Sequence, residues 1–335
     1  MPTAPGIKLG GFETQDPLGS GGVLSDETTR RHMFSITRLT MLAILLMLPA
    51  HVVGQTDADV TRLPWGAPDL QGIWLYVTST PLERPEEFGD KTVVTAEEAA
   101  DFVAQQQDEG VTSGDWDQYG GLLNGRTSLL IDPPNGRLPS RTAAGQRQWD
   151  TLSLFNYDRV PKADGPEDLD PWERCIMGKS TPFFPRPWEQ RMQIVQTPDY
   201  VAMQDEEGEL RLIPVTELAR LPKSITKWAG SSRGHWRGDT LVVETTNFNG
   251  KWSFFGAGPN MRLVERFTRT ADGTLDYEFT VHDPEAFASA WTGAFPFTQD
   301  PGPIYEMACH EGNRSMSLTL SGARAQERAE QTESH

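Results

Sequence analysis

Glu265 is the residue whose position says most about possible chemistry. It lies in an alternating segment, residues 261–270, which a three-residue turn at 271–273 joins to a second alternating segment at 274–282. In that register Glu265 shares the apolar face of the hairpin with Leu263, Phe267, Tyr277, Phe279 and Val281. Because an unpaired buried carboxylate is costly, we expect a buried Glu265 with one of two roles. Either Arg or Tyr side chains pair with it, or it serves as an acid or base in a cavity.

A second hairpin makes a histidine–carboxylate pair available. Its strands are joined by a two-residue turn of Gly238 and Asp239. This turn places His235 opposite Val242 and diagonal to Glu244, a geometry in which the two side chains can share a proton. The alternative is a surface histidine beside a carboxylate of the neighbouring strand.

Metal, cofactor and nucleophile motifs are weak in this sequence. His235, His282 and His310 form a conceivable zinc ligand set, but no HxH, HExxH or CxxC spacing supports it. The Gly-x-Ser-x-Gly pattern at 230–234 is followed by a hairpin turn and not by the helix that a nucleophile elbow needs. The sequence shows no phosphate-binding loop and no dinucleotide fingerprint. We therefore predict neither a metal ion nor a cofactor.

The charge balance limits the classes of partner. The chain has 335 residues, with 30 Lys and Arg against 47 Asp and Glu, and its formal net charge is -17 at pH 7. A surface of that sign repels phosphate groups, so we predict no nucleic-acid binding and no docking on anionic membranes.

Residues 39–48, LTMLAILLML, form the only long apolar run of the sequence. The run is too short to span about 30 Å of hydrocarbon, so it is typical of a signal peptide and not of a membrane-spanning helix. We predict cleavage after Gly54 and a periplasmic or secreted mature protein. Two versions stay open: Met33 starts an ordinary signal, or Arg30 and Arg31 belong to a twin-Arg signal for export in the folded state.

Cys175 and Cys309 are the two cysteines of the chain. Two cysteines in an exported protein usually pair, so we expect a disulfide that closes a long loop. The alternative is a free catalytic thiol at Cys309 with His310 as its base. Adjacent residues of a strand point to opposite faces, which favours the disulfide.

Short segments of β-branched and aromatic residues, separated by turn residues, predict an antiparallel sandwich or barrel. Strands are expected within 64–78 and at 193–196, 200–205, 210–215, 240–248, 261–270, 274–282 and 303–311. Helices are expected at 96–107 after a capping box, at 142–154 and at 315–330, with a helical turn within 218–228.

Near residue 190 the sequence changes from loop-rich segments to strand-like segments with turn residues between them. From this change we predict that the chain has four parts. They are an N-terminal extension and signal peptide (1–54), a loop-rich part whose helices pack on the barrel (55–190), an antiparallel β-barrel region (191–325) and a tail (326–335). In this division most of the barrel comes from the second half of the chain.

Six segments of the chain carry a resemblance to a known family. They are PDLQGIW (68–74), QIVQTPDYV (193–201), GDTLVVETTNF (238–248), RLVERFTR (262–269), LDYEFTV (275–281) and YEMACHEGN (305–313). These segments, spread over most of residues 64–325, resemble a widespread family of exported bacterial proteins of unsettled function. The hairpins are also similar to those of lipocalin-like barrels, a likeness of fold alone. The expected fold is thus mainly β, an antiparallel lipocalin-like barrel or sandwich with a few short peripheral helices.

The likeness to lipocalin-like barrels implies two functions. The first is an exported barrel that binds a small apolar or aromatic molecule, with Trp side chains as its walls. The second is an enzyme of isomerase, cyclase, hydratase or hydrolase type that uses the same cavity. Its candidate acid–base residues are Glu265, Glu244, His235 and His310. A structural envelope protein, which needs no cavity, is a third interpretation.

Overall fold

Ten strands of the described residues form one antiparallel sheet that curves into a nearly closed barrel. In the computed structural model the described residues are 60–108, 121–153, 155–156, 163–176, 181–186, 190–270 and 273–333. All of them belong to one compact unit, Asp57–His335. The prediction of a mainly β antiparallel barrel with few helices is confirmed. The apolar run 39–48 and the cleavage site after Gly54 lie outside the described residues.

The strands alternate between inward and outward side chains, as a sheet with one buried face requires. They are β1 Gly72–Leu75, β2 Leu130–Asp132, β3 Arg191–Gln196, β4 Tyr200–Asp205, β5 Leu210–Pro214, β6 Ser231–Arg237, β7 Thr240–Thr246, β8 Arg262–Arg269, β9 Thr274–His282 and β10 Trp291–Gln299. Their order in the sheet is β5-β4-β3-β1-β10-β9-β8-β7-β6, and β2 pairs with β10 beside this path.

The barrel has a seam between β5 and β6, the two ends of the sheet. An antiparallel path of this order gives its two end strands the same direction, so they cannot be joined by an antiparallel ladder. They nevertheless pack closely, because a Cβ added at Gly234 of β6 would lie 3.1 Å from both Ile213 and Val215. Glycine at that position therefore allows the seam to close.

The β8–β9 hairpin has the register that its sequence predicts. Glu265 pairs with Phe279 and Phe267 pairs with Tyr277, so both residues of β8 face the barrel interior. Gly273 takes the left-handed conformation, with φ of +81°, that the three-residue turn requires. On the other face of the hairpin, Arg266 pairs with Glu278, and both side chains are partly exposed.

Strand β10 lies at the centre of the sheet but was not expected from the sequence. It pairs with β9 along its length, with β2 at Thr292 and Gly293, and with β1 at Thr298 and Gln299. Pro296 makes this segment an unusual strand, because the proline nitrogen has no hydrogen to donate to the hydrogen-bond ladder. Pro296 lies between the residues that pair with β2 and those that pair with β1, where this missing donor is tolerated.

The helices lie outside the sheet. They are α1 Ala96–Asp108, α2 Ala143–Leu152 and α3 Ser315–Glu333, with short 3-10 turns at Glu86–Phe88, Leu123–Gly125 and Pro166–Asp168. The predicted capping box is confirmed, since Thr95 N donates to Glu98 and Glu98 N donates to Thr95 Oγ1. Helix α3 continues to Glu333 and so includes most of the predicted tail. Among the described residues, none of the helices is long and apolar enough to cross a membrane.

Two predicted elements are wrong. Residues 303–311 form no strand, and residues 218–228 form no helical turn. In the first of these segments the Met307 amide donates to the Glu206 carbonyl and Cys309 is cross-linked to Cys175, so these contacts hold it without a strand ladder. The alternating apolar residues of the segment, Tyr305 and Met307, are exposed rather than buried.

Aromatic side chains fill the barrel interior. Phe183 is 1% exposed and packs against Tyr76, Phe267, Tyr277 and Phe297, with ring centroids 5.8 to 6.3 Å away. Strand β1, which precedes residue 190, lies between β3 and β10 and contributes the fully buried Trp74. The division of the chain at residue 190 itself stays a prediction.

Candidate functional site

Glu265 is buried and paired. It is 0% exposed, as the hairpin register predicts. Arg211 of β5 donates to both of its oxygens, from Nη1 at 2.9 Å and from Nη2 at 2.5 Å, and the Tyr277 hydroxyl donates to Oε1 at 2.8 Å. Two donors therefore satisfy this carboxylate inside the barrel, which is the first of the two roles expected for it.

Arg211 connects the two sides of the seam. Its Nη2 lies 3.5 Å from Ser232 Oγ of β6 and from Thr245 Oγ1 of β7 on the way to Glu265 of β8. Its guanidinium also lies 5.4 Å from the Phe183 ring. Although burial alone would lower the pKa of Arg211, the charge of Glu265 raises it above its ordinary value. The arrangement satisfies the buried carboxylate of Glu265 and links β5 to β8 across the seam.

Glu244 and His235 lie on the outer face of the sheet. His235 pairs with Val242, as the two-residue turn predicts, and is exposed. Glu244 binds Arg262 at 2.7 Å and Arg220 at 2.5 Å. Partial burial would raise the pKa of Glu244, but these two guanidinium groups lower it below its ordinary value. The carboxylate is therefore part of a surface ion-pair cluster.

The fourth predicted residue, His310, is exposed at the rim of a pocket at one end of the barrel. Glu265 is not among the residues that line this pocket, and His235 and Glu244 lie on the opposite face of the sheet from Glu265. The structure thus distributes the four predicted residues over three places instead of assembling them into one acid–base site.

The barrel-end pocket has a volume of about 420 Å³ and lies beside the turn between β4 and β5. Apolar and carboxylate side chains share its wall, among them those of Trp172, Ile176, Trp228, Met307, Glu207 and Glu209. Small-molecule sites usually combine such apolar walls with a few polar groups.

The disulfide builds one side of the pocket. Cys175 and Cys309 are bonded, with their Cα atoms 5.7 Å apart, which confirms the predicted bridge and excludes a free catalytic thiol. The bridge anchors the strap, which we define as residues 306–310, to the segment that carries Trp172 and Ile176. The Met307 amide also donates to the Glu206 carbonyl at 2.7 Å. Two fixed points therefore hold the strap across the barrel end.

Three carboxyl groups lie close together at the end of β4 and in the β4–β5 turn, beside the pocket. Glu207 pairs with Arg186 at 2.8 Å, and both side chains are almost fully buried. Glu209 accepts a hydrogen bond from Thr181 at its Oε1, at 2.7 Å, and Asp205 accepts one from the Glu209 amide at its Oδ1, at 2.9 Å. The buried Oε2 of Glu209 and Oδ2 of Asp205 have no hydrogen-bond partner among the described residues.

Burial shifts the proton affinity of both groups upward. It raises the pKa of Asp205 to about 8, with further contributions from the charges of Glu209 and Glu207. It also raises the pKa of Glu209 to about 7, against the opposing effects of Thr181 and Arg211. Around neutral pH these carboxyl groups therefore hold protons that ordinary carboxylates have lost.

The sequence pattern did not single out Arg211, Asp205 or Glu209. In the segment LRLIPV the two leucines alternate with Arg211 and Ile213, but Arg211 and Ile213 point inward while Leu210 and Leu212 are exposed. The signal that was present is the run of acidic residues Asp205, Glu206, Glu207 and Glu209, which concentrates negative charge at one turn.

The described part of the chain shows no group of three or more His, Cys, Asp or Glu side chains arranged to hold a metal ion. No family model, no curated protein and no solved structure matches the chain. The resemblance to a family of exported bacterial proteins stays a prediction.

Proposed function

We propose that this protein is exported and binds a small, mainly apolar or aromatic molecule in the barrel-end pocket. The observation that carries the proposal is the composition of the pocket wall, in which Trp172, Trp228, Ile176 and Met307 occur together with Glu209, whose Oε2 is buried. Indole rings supply large apolar area at little cost in side-chain entropy, and one polar group is enough to orient a ligand. The volume of about 420 Å³ suits a molecule of a few rings or fewer.

The ligand space that we propose lies at the end of the barrel and not in its interior. Leu263, Phe267, Tyr277, Phe279 and Val281 are at most 1% exposed and pack against protein. A lipocalin-like mode of binding, with the ligand deep in the barrel, would require that packing to be displaced. Binding at the barrel end requires no such rearrangement, because the pocket is already open there.

An enzyme is the second candidate function, and one observation favours it. The pKa of Glu209 is raised by burial to about 7, and groups that accept and release protons near neutral pH are characteristic of acid–base catalysis. His310 lies on the rim of the same pocket. A turnover screen between pH 5 and 9 tests this alternative: a rate lost in Glu209→Gln while ligand binding persists supports catalysis, and no turnover of any ligand that binds contradicts it.

A direct test of binding uses a variant that fills the pocket. We expect at least one of three small aromatic probes (2-phenylethylamine, 2-phenylethanol and 3-phenylpropionate) to bind the wild type saturably in isothermal titration calorimetry. Ala229 lines the pocket, so Ala229→Trp should weaken that binding at least about tenfold by occupying the space. Ala219→Trp, at an exposed alanine, is the matched control and should bind as the wild type does.

Circular dichroism and thermal unfolding establish that both tryptophan variants are folded. Absence of saturable binding by all three probes to the wild type contradicts the proposed function. Equal binding to the wild type, Ala229→Trp and Ala219→Trp contradicts it as well, because the probe would then bind elsewhere.

A further inference from the structure

Among the described residues, the barrel end contains more carboxyl groups than cations to pair with them. Arg211 pairs with Glu265, and Arg186 pairs with Glu207. Asp205 and Glu209 lie next to these pairs, and no ion pair of either is found among the described residues. Because a buried ionised carboxylate without a partner is costly, this excess of negative charge favours the entry of a positive charge.

Of these two residues with an excess carboxyl group, Glu209 is the one that belongs to the pocket wall. It lines the barrel-end pocket, and its Oε2 is buried without a hydrogen-bond partner in the described part of the chain. Its Oε1 already accepts from Thr181, so the side chain is held in place and Oε2 is the oxygen left for a donor. A ligand N–H group at that oxygen would satisfy it and would balance its charge.

The apolar part of the wall also suits a cation. The electron-rich faces of Trp172 and Trp228 attract positively charged groups, and Lys251 Nζ already lies 5.6 Å from the Trp228 ring. An anionic ligand would instead meet three carboxylate side chains of the wall, those of Glu207, Glu209 and Glu306.

We propose that the ligand of this pocket is an aromatic or apolar amine whose ammonium group binds Glu209 Oε2 while its hydrophobic part lies against Trp172 and Trp228. This inference rests on the proposed function and names the chemical class of its ligand. It requires no rearrangement of the Arg211–Glu265 pair, which stays inside the barrel.

The charge of the ammonium group makes binding depend on pH. The ionisable groups that face Glu209 or line the pocket around it are Asp205, Glu207, Glu265, Arg211, Glu306 and His310. Burial raises the pKa of Glu209 to about 7, so below that pH an ammonium ligand must displace a proton. Affinity for the amine should therefore rise as the pH increases from about 6 to about 8, with one proton released per ligand bound near pH 6.

The three probes of similar size and different charge test the inference. At pH 8 we expect 2-phenylethylamine to bind at least about tenfold more tightly than 2-phenylethanol, because hydrogen bonds between charged groups are the strong ones. The anionic 3-phenylpropionate should bind most weakly. Glu209→Gln should abolish the preference for the amine and leave the affinity for 2-phenylethanol within about twofold.

Glu306→Gln is the matched control, because it removes the same charge from an exposed glutamate of the same pocket rim. It should reduce the preference for the amine by less than about twofold. The wild-type comparison of the amine at pH 6 and pH 8 needs no variant, so the inference stays testable if Glu209→Gln does not fold.

The outcomes separate this inference from the proposed function. If none of the probes binds, the proposed function fails. If 2-phenylethanol or 3-phenylpropionate binds as tightly as the amine, or if Glu209→Gln keeps the preference, the pocket binds small molecules but the assignment to amines is overturned.

Discussion

Arg211 of β5 and Glu265 of β8 form a two-point ion pair inside the barrel, across the intervening strands β6 and β7. The donor–acceptor distances are 2.9 and 2.5 Å, and both side chains are at most 4% exposed. The pair connects β8 to β5 at the seam, where the two ends of the sheet meet without a ladder. Its position indicates that it holds the seam closed beside the pocket.

Glu265→Gln should therefore cost stability. The amide keeps the volume of the side chain but leaves the buried Arg211 without its negative partner, and we expect a loss of about 3 kcal/mol in the free energy of unfolding. Urea denaturation followed by circular dichroism measures this loss. Glu244→Gln, which breaks an ion pair with two half-exposed arginines, is the control and should cost less than about 1 kcal/mol. Equal effects of the two substitutions would contradict the structural role of Glu265.

Reduction of the Cys175–Cys309 disulfide should destabilise the protein and weaken ligand binding together. The bridge joins residues 134 apart, so its loop-closure entropy predicts a contribution of about 3–5 kcal/mol to stability. Because the bridge also holds the strap, Cys175→Ser combined with Cys309→Ser should weaken probe binding even at temperatures where the variant is fully folded. Denaturation and calorimetry of the double variant check both effects. Wild-type affinity in the folded double variant would show that the strap does not shape the site.

The free energy of unfolding should fall as the pH rises from about 5 to about 8. Burial raises the pKa of Asp205 to about 8 and that of Glu209 to about 7, whereas both groups titrate near 4 in the unfolded chain. Between these values the folded state holds more protons, so this stabilisation is complete below about pH 4 and is lost as the pH rises through 7 and 8. Each group contributes up to about 1.4 kcal/mol per pH unit within its window.

Urea denaturation at pH 5, 6.5 and 8 measures this slope. Asp205→Asn should flatten it, because the amide cannot titrate. Glu278→Gln, at a glutamate that is 38% exposed on the outer face, should leave it unchanged. A wild-type protein that is more stable at pH 8 than at pH 5 would contradict the raised pKa of Asp205.

Export predicts a shortened mature protein. The apolar run 39–48 and the residues Val52, Val53 and Gly54 are typical of a signal peptide and its cleavage site. Intact-mass analysis of the protein released by an expressing bacterium should find a chain that begins at Gln55. A mature protein that begins upstream of Met33 would contradict the prediction.

Local sequence patterns predicted the hairpins well and the long-range contacts poorly. The register of β8 and β9 followed from alternation and from the turn at Gly273, both of which act within a few residues. The partner of Glu265 could not be predicted in the same way, because Arg211 lies 54 residues earlier and on a strand whose leucines suggest the opposite orientation.

Local sequence patterns could not predict the pocket either, because its walls come from segments that are far apart in the sequence. Its walls come from residues 172–176, from the β4–β5 turn, from the residues before β6 and from the strap, which meet only when the barrel closes. The disulfide between Cys175 and Cys309 was the one predicted contact that brings two of these regions together. The strap was predicted to be a strand, since alternation cannot distinguish a ladder from an extended segment that is held by a cross-link.

The most direct test of the central claim is a crystal structure of the protein with 2-phenylethylamine bound at pH 8. We expect the ring of the probe to lie against Trp172 and Trp228 in the barrel-end pocket and its nitrogen to lie within hydrogen-bond distance of Glu209 Oε2. A probe bound in another pocket, such as the groove beside α1, or a barrel-end pocket that stays empty in crystals saturated with a probe that binds in solution, would contradict the claim.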